Sequence, residues 1–452
     1  MSIFQTIAAF LTAIVLLVSL HELGHLLVAR WCGIKVLRFS VGFGRPFVKK
    51  QWRGIEWCLA PIPLGGYVKM TDTREGNVAD ADLPYAFDKQ HPLKRIAVVA
   101  AGPLVNLALA VGLYFWVFAA DGITQIKPYV GTVHAPSVAA TAGFAPGDRI
   151  LTVNGTPVAD FNDARTRIVL DLDGGTVAVG VQTANGQNTV RHIDAAGTPE
   201  AEAVAKRTAD LGLSPFKHTD AVGKVMPHSP AARAGLQAGD RIVAVNGTTT
   251  RHWRDWQTIV RDNAGRYLTL TYVREGKFYQ TKLLTNAVEL PDRSRIIGQI
   301  GVLPAPDQAW QAQIVRRQRP DAAGALHAAW SKTVSYSVLT LDFFRKMLFG
   351  QASLNHISGP VGIAEAAGAS ASVGWQAYVE FLALVSLSLG VMNLLPVPVL
   401  DGGHLVYYTA ELIRGKPLSE RVQQLGVRVG ISLMLAMMLL AFFNDITRLF
   451  GQ

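Results

Sequence analysis

Cysteine is nearly missing from this chain: 452 residues carry two, Cys32 and Cys58. Both fall in one short stretch, which excludes a disulfide framework elsewhere and leaves small buried hydrophobes as the plain expectation for them. Charge is scarce too, at 17% of residues against 50% hydrophobic, so a disordered, heavily solvated chain is excluded. Acidic residues are the rarer sign, and the net charge is +10. No Lys or Arg precedes Arg30. A cleavable signal peptide opens on basic residues, so the apolar N-terminal segment is expected to be retained.

Long apolar runs are what the chain has instead. A helix needs roughly 20 apolar residues to cross a bilayer. Segments at about 4–29, 94–119, 376–400 and 426–444 qualify. Between the first two lie Arg30, Lys35, Arg38, Arg45, Lys49, Lys50, Arg53, Lys69, Arg74, Lys89, Lys94 and Arg95, and between the last two Arg414, Lys416 and Arg421. The positive-inside rule makes both connections cytoplasmic and puts both termini and the region 120–375 outside. The basic excess then sets orientation and attracts anionic lipid of the bilayer; no nucleic-acid partner is expected.

Within the first span stands His21-Glu22-Leu23-Gly24-His25. Two imidazoles and a carboxylate in hydrocarbon are costly and are expected to face protein or a wet cavity. On a helix, positions i and i+4 share a face, so His21 and His25 can ligate one Zn2+ while Glu22 serves as general base. A catalytic zinc normally takes three protein ligands, so a third must come from elsewhere. Asp401 is the expected one, closing the run Asn393-Leu394-Leu395-Pro396-Val397-Pro398-Val399-Leu400-Asp401-Gly402; His404 is its rival. Pro396 and Pro398 remove backbone donors, and irregular backbone at membrane depth is tolerated only where it is buried or lines a cavity. Asn393 is placed either to hydrogen-bond an opened substrate or to cap the helix break.

The middle region is duplicated. Gly131, Ser137, Gly143, Asp148 and Asn154-Gly155 recur 92 residues on as Gly223, Ser229, Gly235, Asp240 and Asn246-Gly247. Each copy reads as a strand, a short helix after Ser, a Gly-Asp turn, an Ile/Val strand and an Asn-Gly hairpin turn. After the second copy, Ala325, Leu326, Ala329, Trp330, Val334, Val338, Leu341 and Phe344 follow helical spacing. An amphipathic helix is expected there, on the outer membrane face or packed on the duplicated modules.

The two copies resemble tandem PDZ domains of the permuted bacterial type. With the His-Glu-x-x-His and Asn-x-x-Pro-x-Pro-x-Leu-Asp-Gly motifs, and with Gly42-Phe43-Gly44, Ile62-Pro63-Leu64-Gly65-Gly66-Tyr67, Ser353-Leu354-Asn355 and Ser358-Gly359-Pro360, the whole chain is similar to the site-2 protease family of intramembrane metalloproteases. The resemblance implies a multi-domain membrane protein: an α-helical core of four transmembrane spans with a membrane-associated β-hairpin region, plus two tandem α/β PDZ domains. The expected layout is 1–122 for the first two spans with the cytoplasmic β region, 123–216 and 217–304 for the PDZ domains, 305–375 for the amphipathic helix and connector, and 376–452 for the last two spans.

The family implies a zinc metalloendopeptidase of the bacterial inner membrane with a periplasmic PDZ pair and an active site toward the cytoplasm. Its implied substrates are a membrane-spanning anti-sigma factor already trimmed by another protease, in regulated intramembrane proteolysis, and signal-peptide remnants. It further implies that residues 34–70 fold back so that a strand edge pairs with the opened substrate, with Gly42, Phe43, Gly44, Asn393, Pro396 and Pro398 at the substrate. The PDZ grooves either take a newly exposed C-terminus or act only as bulk. Two other classes compete: a catalytically silent scaffold, which chelator-sensitive proteolysis separates from an enzyme, and a metal transporter, which accounts for neither Glu22 nor the duplication.

Overall fold

A computed structural model describes residues 3–74, 76–172, 175–194, 198, 204, 210–289, 296–349 and 358–450. Ser353-Leu354-Asn355 lies outside the described residues. The chain divides into two compact units, Met1–Ile123 with Gln318–Ile446, and Thr124–Arg317 with the C-terminal residues.

In the first unit, helix α1 spans Ile3–Trp31 and is followed by strands β1 (Val36–Phe43), β2 (Val48–Trp52), β3 (Ile55–Leu59) and β4 (Ile62–Met70). Helix α2 spans Pro92–Asp121; it starts on Pro92 after the His91 cap, where the missing N–H is harmless, and ends at Gly122 with φ 81°. Four helices among the described residues are long and apolar enough to cross a membrane: α1, α2, Trp375–Leu394 and a window of the last helix at Arg421–Thr447. The third apolar helix stops at Leu394, short of the expected 400, because Leu395 precedes Pro396 and is extended at ψ 144°.

The segment expected as a β-hairpin region is a four-stranded mixed sheet in the order β2-β3-β1-β4. Arg53 and Gly54, at φ 50° and 78°, make the tight turn joining β2 to β3. β1 pairs parallel with β3 and antiparallel with β4, in a register that sets Ser40 opposite Tyr67 and Val41 opposite Gly66. The ladder slips between Val41 and Phe43, where Gly42 adopts φ 88°. A Cβ there would sit 2.5 Å from the Ala60 carbonyl oxygen, so only glycine fits this bulge. β2 and β4 are the two edges of the sheet, and Phe39, Val36 and Ile55 pack it on Leu26 and Ala29 of α1 and Val98 of α2.

The connector is richer than one amphipathic helix. Ten further described helices complete this numbering: α3 (Val138–Thr141), α4 (Phe161–Asp171), α5 (Pro230–Arg233), α6 (Trp253–Asp262), α7 (Gln308–Ile314), α8 (Ala322–Leu348), α9 (Pro360–Val373), α10 (Trp375–Leu394), α11 (Asp401–Arg414) and α12 (Glu420–Phe450). α8 packs Ala325 and Ala329 on Tyr114, Val117 and Phe118 of α2 and on Val379 and Ala383 of α10. Its other row, Leu326, Trp330, Val334, Val338 and Leu341, is exposed. The start of α9 is held by the buried carboxylate of Asp445, which accepts from the N–H groups of Gly359, Val361 and Gly362 at 3.2, 3.0 and 3.2 Å.

The second unit holds both sequence copies, and equivalent residues do equivalent work. Ser137 and Ser229 accept from the N–H of Ala140 and Ala232, each at 3.1 Å, starting α3 and α5. Asn154-Gly155 and Asn246-Gly247 all take positive φ in the hairpin turns after strands Arg149–Val153 and Arg241–Val245. Asp148 and Asp240 each accept from a loop N–H and pair with an arginine, Arg191 two strands away and Arg274 on the neighbouring strand. Each copy has its own apolar core, one around Ile150, Ile168 and Val179, the other around Ile242, Trp256 and Leu270.

Asp240 is fully buried, whereas the Arg274 side chain keeps 25% exposure. Removing the carboxylate leaves the arginine unpaired, a loss of about 3–5 kcal/mol in a fully buried pair and about 2–3 kcal/mol with the arginine partly solvated. Asp240→Ala in the intact chain is therefore expected to speed hydrogen exchange in strands 241–245 and 267–274 while leaving the first copy protected. Equal protection in variant and wild type counts against this role.

Candidate metal centre

α1 carries His21 and His25 one turn apart on its buried face, with Gly24 between them. Gly24 lets α2 approach: a Cβ there would meet the Ala101 carbonyl oxygen at 2.8 Å. At the crossing, Gly102 of α2 lies under the histidines, where a Cβ would be 2.3 Å from His25 Nε2 and 2.8 Å from His21 Cε1. The cradle for both rings is thus made by leaving out side chains.

The third group arrives on α11. After Pro396 and Pro398 the backbone turns sharply, and Val399 takes φ 132°, a costly conformation for a β-branched residue. Gly402 and Gly403 make the turn compact, since Cβ atoms there would fall 2.1 Å from Leu395 O and 2.5 Å from Val397 O. Asp401 begins the helix, but the cap position belongs to Leu400 and makes no side-chain cap. The carboxylate is therefore spent elsewhere: Asp401 Oδ2 is 3.2 Å from His21 Nε2 and 3.5 Å from His25 Nε2. The two Nε2 atoms are 3.2 Å apart.

These separations are diagnostic. Ligand bonds of about 2.0–2.1 Å at tetrahedral angles set donor atoms roughly 3.3–3.4 Å apart. Three donors at 3.2, 3.2 and 3.5 Å form such a triangle. Among the described residues, His21, His25 and Asp401 are the group of His, Cys, Asp and Glu side chains close enough to share an ion. His25 Nδ1 lies 2.8 Å from the Val98 carbonyl and donates to it, which leaves the Nε2 lone pair for the centre. Two imidazoles and one carboxylate fit zinc by donor type as well as by spacing.

Glu22 follows His21 on α1 and is half-buried beside β4: a Cβ on Gly66 would lie 2.9 Å from Glu22 Cγ and 3.2 Å from a Val18 methyl. The open strand edge thus passes the glutamate. The rival ligand His404 is not in the triangle; its ring stacks on Tyr408 with centroids 6.1 Å apart. Asn393 is half-buried in the last turn of α10, Pro396 is exposed and Pro398 half-buried in the turn that follows. Gly42 and Phe43 end β1, which pairs with the strand that touches Glu22, and Gly44 follows it. Phe43 is exposed, stacks on Tyr67 and covers Gly65. Gly102, Val98 and Asn106 escaped the sequence reading; the signal available was a Gly-Pro pair and a polar Asn inside an otherwise apolar span.

The model of peptidase family M50 matches residues 9–437. The chain belongs to peptidase family M50. This bears out the resemblance to the site-2 proteases, and the chain is accordingly a zinc metalloprotease. A Neisseria meningitidis protein named as a zinc metalloprotease is 60% identical over 99% of this chain and 100% of its own. The Escherichia coli regulator of sigma-E protease RseP is 37% identical over 99% of this chain and 100% of its own, and the Yersinia pestis protease RseP likewise 37% over 99% and 100%. A solved PDZ domain of an SdrC-like protein from Listeria monocytogenes covers 19% of this chain and 84% of its own at 21% identity, with a TM-score of 0.17.

Because nothing larger than hydrogen fits at Gly102, Gly102→Ala is expected to push His25 off the triangle and to lower proteolysis by at least about 100-fold, in line with misplacing a catalytic group by 1 Å. Activity within about threefold of wild type in a purified-protein cleavage assay would remove Gly102 from the account.

Proposed function

We propose that His21, His25 and Asp401 hold the zinc, that Glu22 is the general base, and that the reaction is hydrolysis of a peptide bond inside a membrane-spanning segment. The donor triangle at 3.2, 3.2 and 3.5 Å carries this reading, together with the apolar helices α1, α2 and α10 that supply or surround it. Zinc, when bound, polarises the scissile carbonyl and acidifies water. Glu22 takes the proton of the attacking water and passes it to the leaving amine. The buried bundle keeps bulk water away from the rings of His21 and His25.

A spanning helix hides its carbonyls in its own hydrogen bonds, so a few residues must unwind before attack. Each freed backbone group costs several kcal/mol in lipid. The edge of β4 supplies substitute partners beside Glu22, and the Asn393 amide is placed to take another backbone group. Gly42, Phe43 and Gly44, at the end of the strand beside β4, and Pro396 and Pro398, in the turn that presents Asp401, complete the proposed substrate contacts.

The substrates we assign follow from the site-2 protease resemblance: the spanning segment of a pre-trimmed anti-sigma factor in an envelope stress response, and signal-peptide remnants; the Escherichia coli relative is named as a regulator of sigma-E. By the positive-inside rule we assign residues 30–95 and 414–421 to the cytoplasm and the two sequence copies, read as PDZ domains over 123–216 and 217–304, to the periplasmic side of the inner membrane. There they admit substrates by a newly exposed C-terminus.

Glu22→Gln is expected to abolish cleavage of a model spanning peptide in detergent while zinc content stays at the wild-type level; loss of zinc in that variant would make Glu22 a ligand instead. Gly or Pro substitutions in the substrate's span are expected to raise the cleavage rate, and a rate indifferent to them would remove the strand-edge step.

A further inference from the structure

Asn106 is fully buried in α2, within the run Leu104-Val105-Asn106-Leu107-Ala108-Leu109. Its carbonyl accepts from Ser386 Oγ at 2.8 Å, tying α2 to α10. Its side chain has a different neighbour: the amide nitrogen stands 3.3 Å from His21 Nδ1, while the amide oxygen, equally buried, has no partner.

That arrangement conflicts with the triangle. If the amide donates to Nδ1, the ring proton must sit on Nε2, pointing at Asp401 and His25 where a lone pair is required. The oxygen and nitrogen of an amide have the same shape, and the network decides which is which. With the two exchanged, Oδ1 accepts from His21 Nδ1–H, the orphaned oxygen gains a donor, and Nε2 faces the centre unprotonated. His21 then matches His25, whose Nδ1–H is already held by the Val98 carbonyl. Imidazole ligands to metals almost always give their second N–H to such an acceptor, and losing it typically costs 10- to 100-fold in metal affinity.

We propose that Asn106 is a positioning residue of the zinc centre, fixing the tautomer and ring plane of His21 through its amide oxygen. The inference rests on the assignment of His21, His25 and Asp401 as ligands. Both acceptors come from α2, one from its backbone and one from a side chain, so this helix orients the two histidines of α1 without contributing a ligand.

The test is zinc affinity of the full-length protein in detergent, read by competition with a chromophoric chelator, together with the visible spectrum of the cobalt(II)-substituted protein. Asn106→Ala is expected to bind zinc about 10- to 100-fold more weakly and to shift the cobalt bands. Asn106→Asp, whose carboxylate also accepts from Nδ1–H, is expected to keep both affinity and spectrum close to wild type. Wild-type affinity in Asn106→Ala overturns the proposal, and so does an equal loss in both variants, which would make Asn106 a helix-packing residue only. Failure of the wild type itself to bind zinc would instead overturn the ligand assignment.

Discussion

The bundle is organised around one electrostatic requirement: three donor atoms from ends of the chain 380 residues apart must share a point in an apolar interior, as His21 and Asp401 do at 3.2 Å. A carboxylate and two imidazoles left unshared at that depth would each cost several kcal/mol. On the proposed reading, sharing an ion turns that cost into the chemistry. The packing around the point serves this end. Gly24 and Gly102 let α1 and α2 touch, Gly402 and Gly403 fold the proline turn tightly enough to aim Asp401, and Val399 holds a strained φ of 132° in the same turn.

The sheet beside the centre adds a second requirement. β4 has a neighbour on one side only and passes Glu22 at Gly66. An open strand edge is a hazard on a soluble surface, because it invites pairing with other chains. Next to the proposed hydrolytic centre the same property becomes useful, since the spanning peptide we propose as substrate must lose its helical hydrogen bonds. Glycine at 66 then has two reasons: Ser40 O lies 2.7 Å from the place a Cβ would occupy, and the Glu22 side chain fills the other direction.

Much of this was legible in residue order. The i, i+4 histidines, the carboxylate after two prolines and the 92-residue repeat are local or periodic patterns, and periodicity survives into structure. Boundaries set by long-range partners were not legible. The start of α9 depends on Asp445, a residue on another helix, and the sheet order β2-β3-β1-β4 includes a parallel pair that a hairpin reading does not anticipate. Asn106 and Gly102 look like ordinary members of an apolar span until α1 is laid across them. The amphipathic row of α8 was visible in sequence, but its packing partner on α2 and α10 was not.

X-ray absorption at the zinc edge of the purified full-length protein tests the central claim most directly. The account requires one zinc per chain with a first shell of nitrogen and oxygen at about 2.0–2.1 Å and the outer scattering of two imidazoles. A sulfur shell at about 2.3 Å, which only Cys32 or Cys58 and methionines could supply, or a protein that holds no zinc, would contradict it.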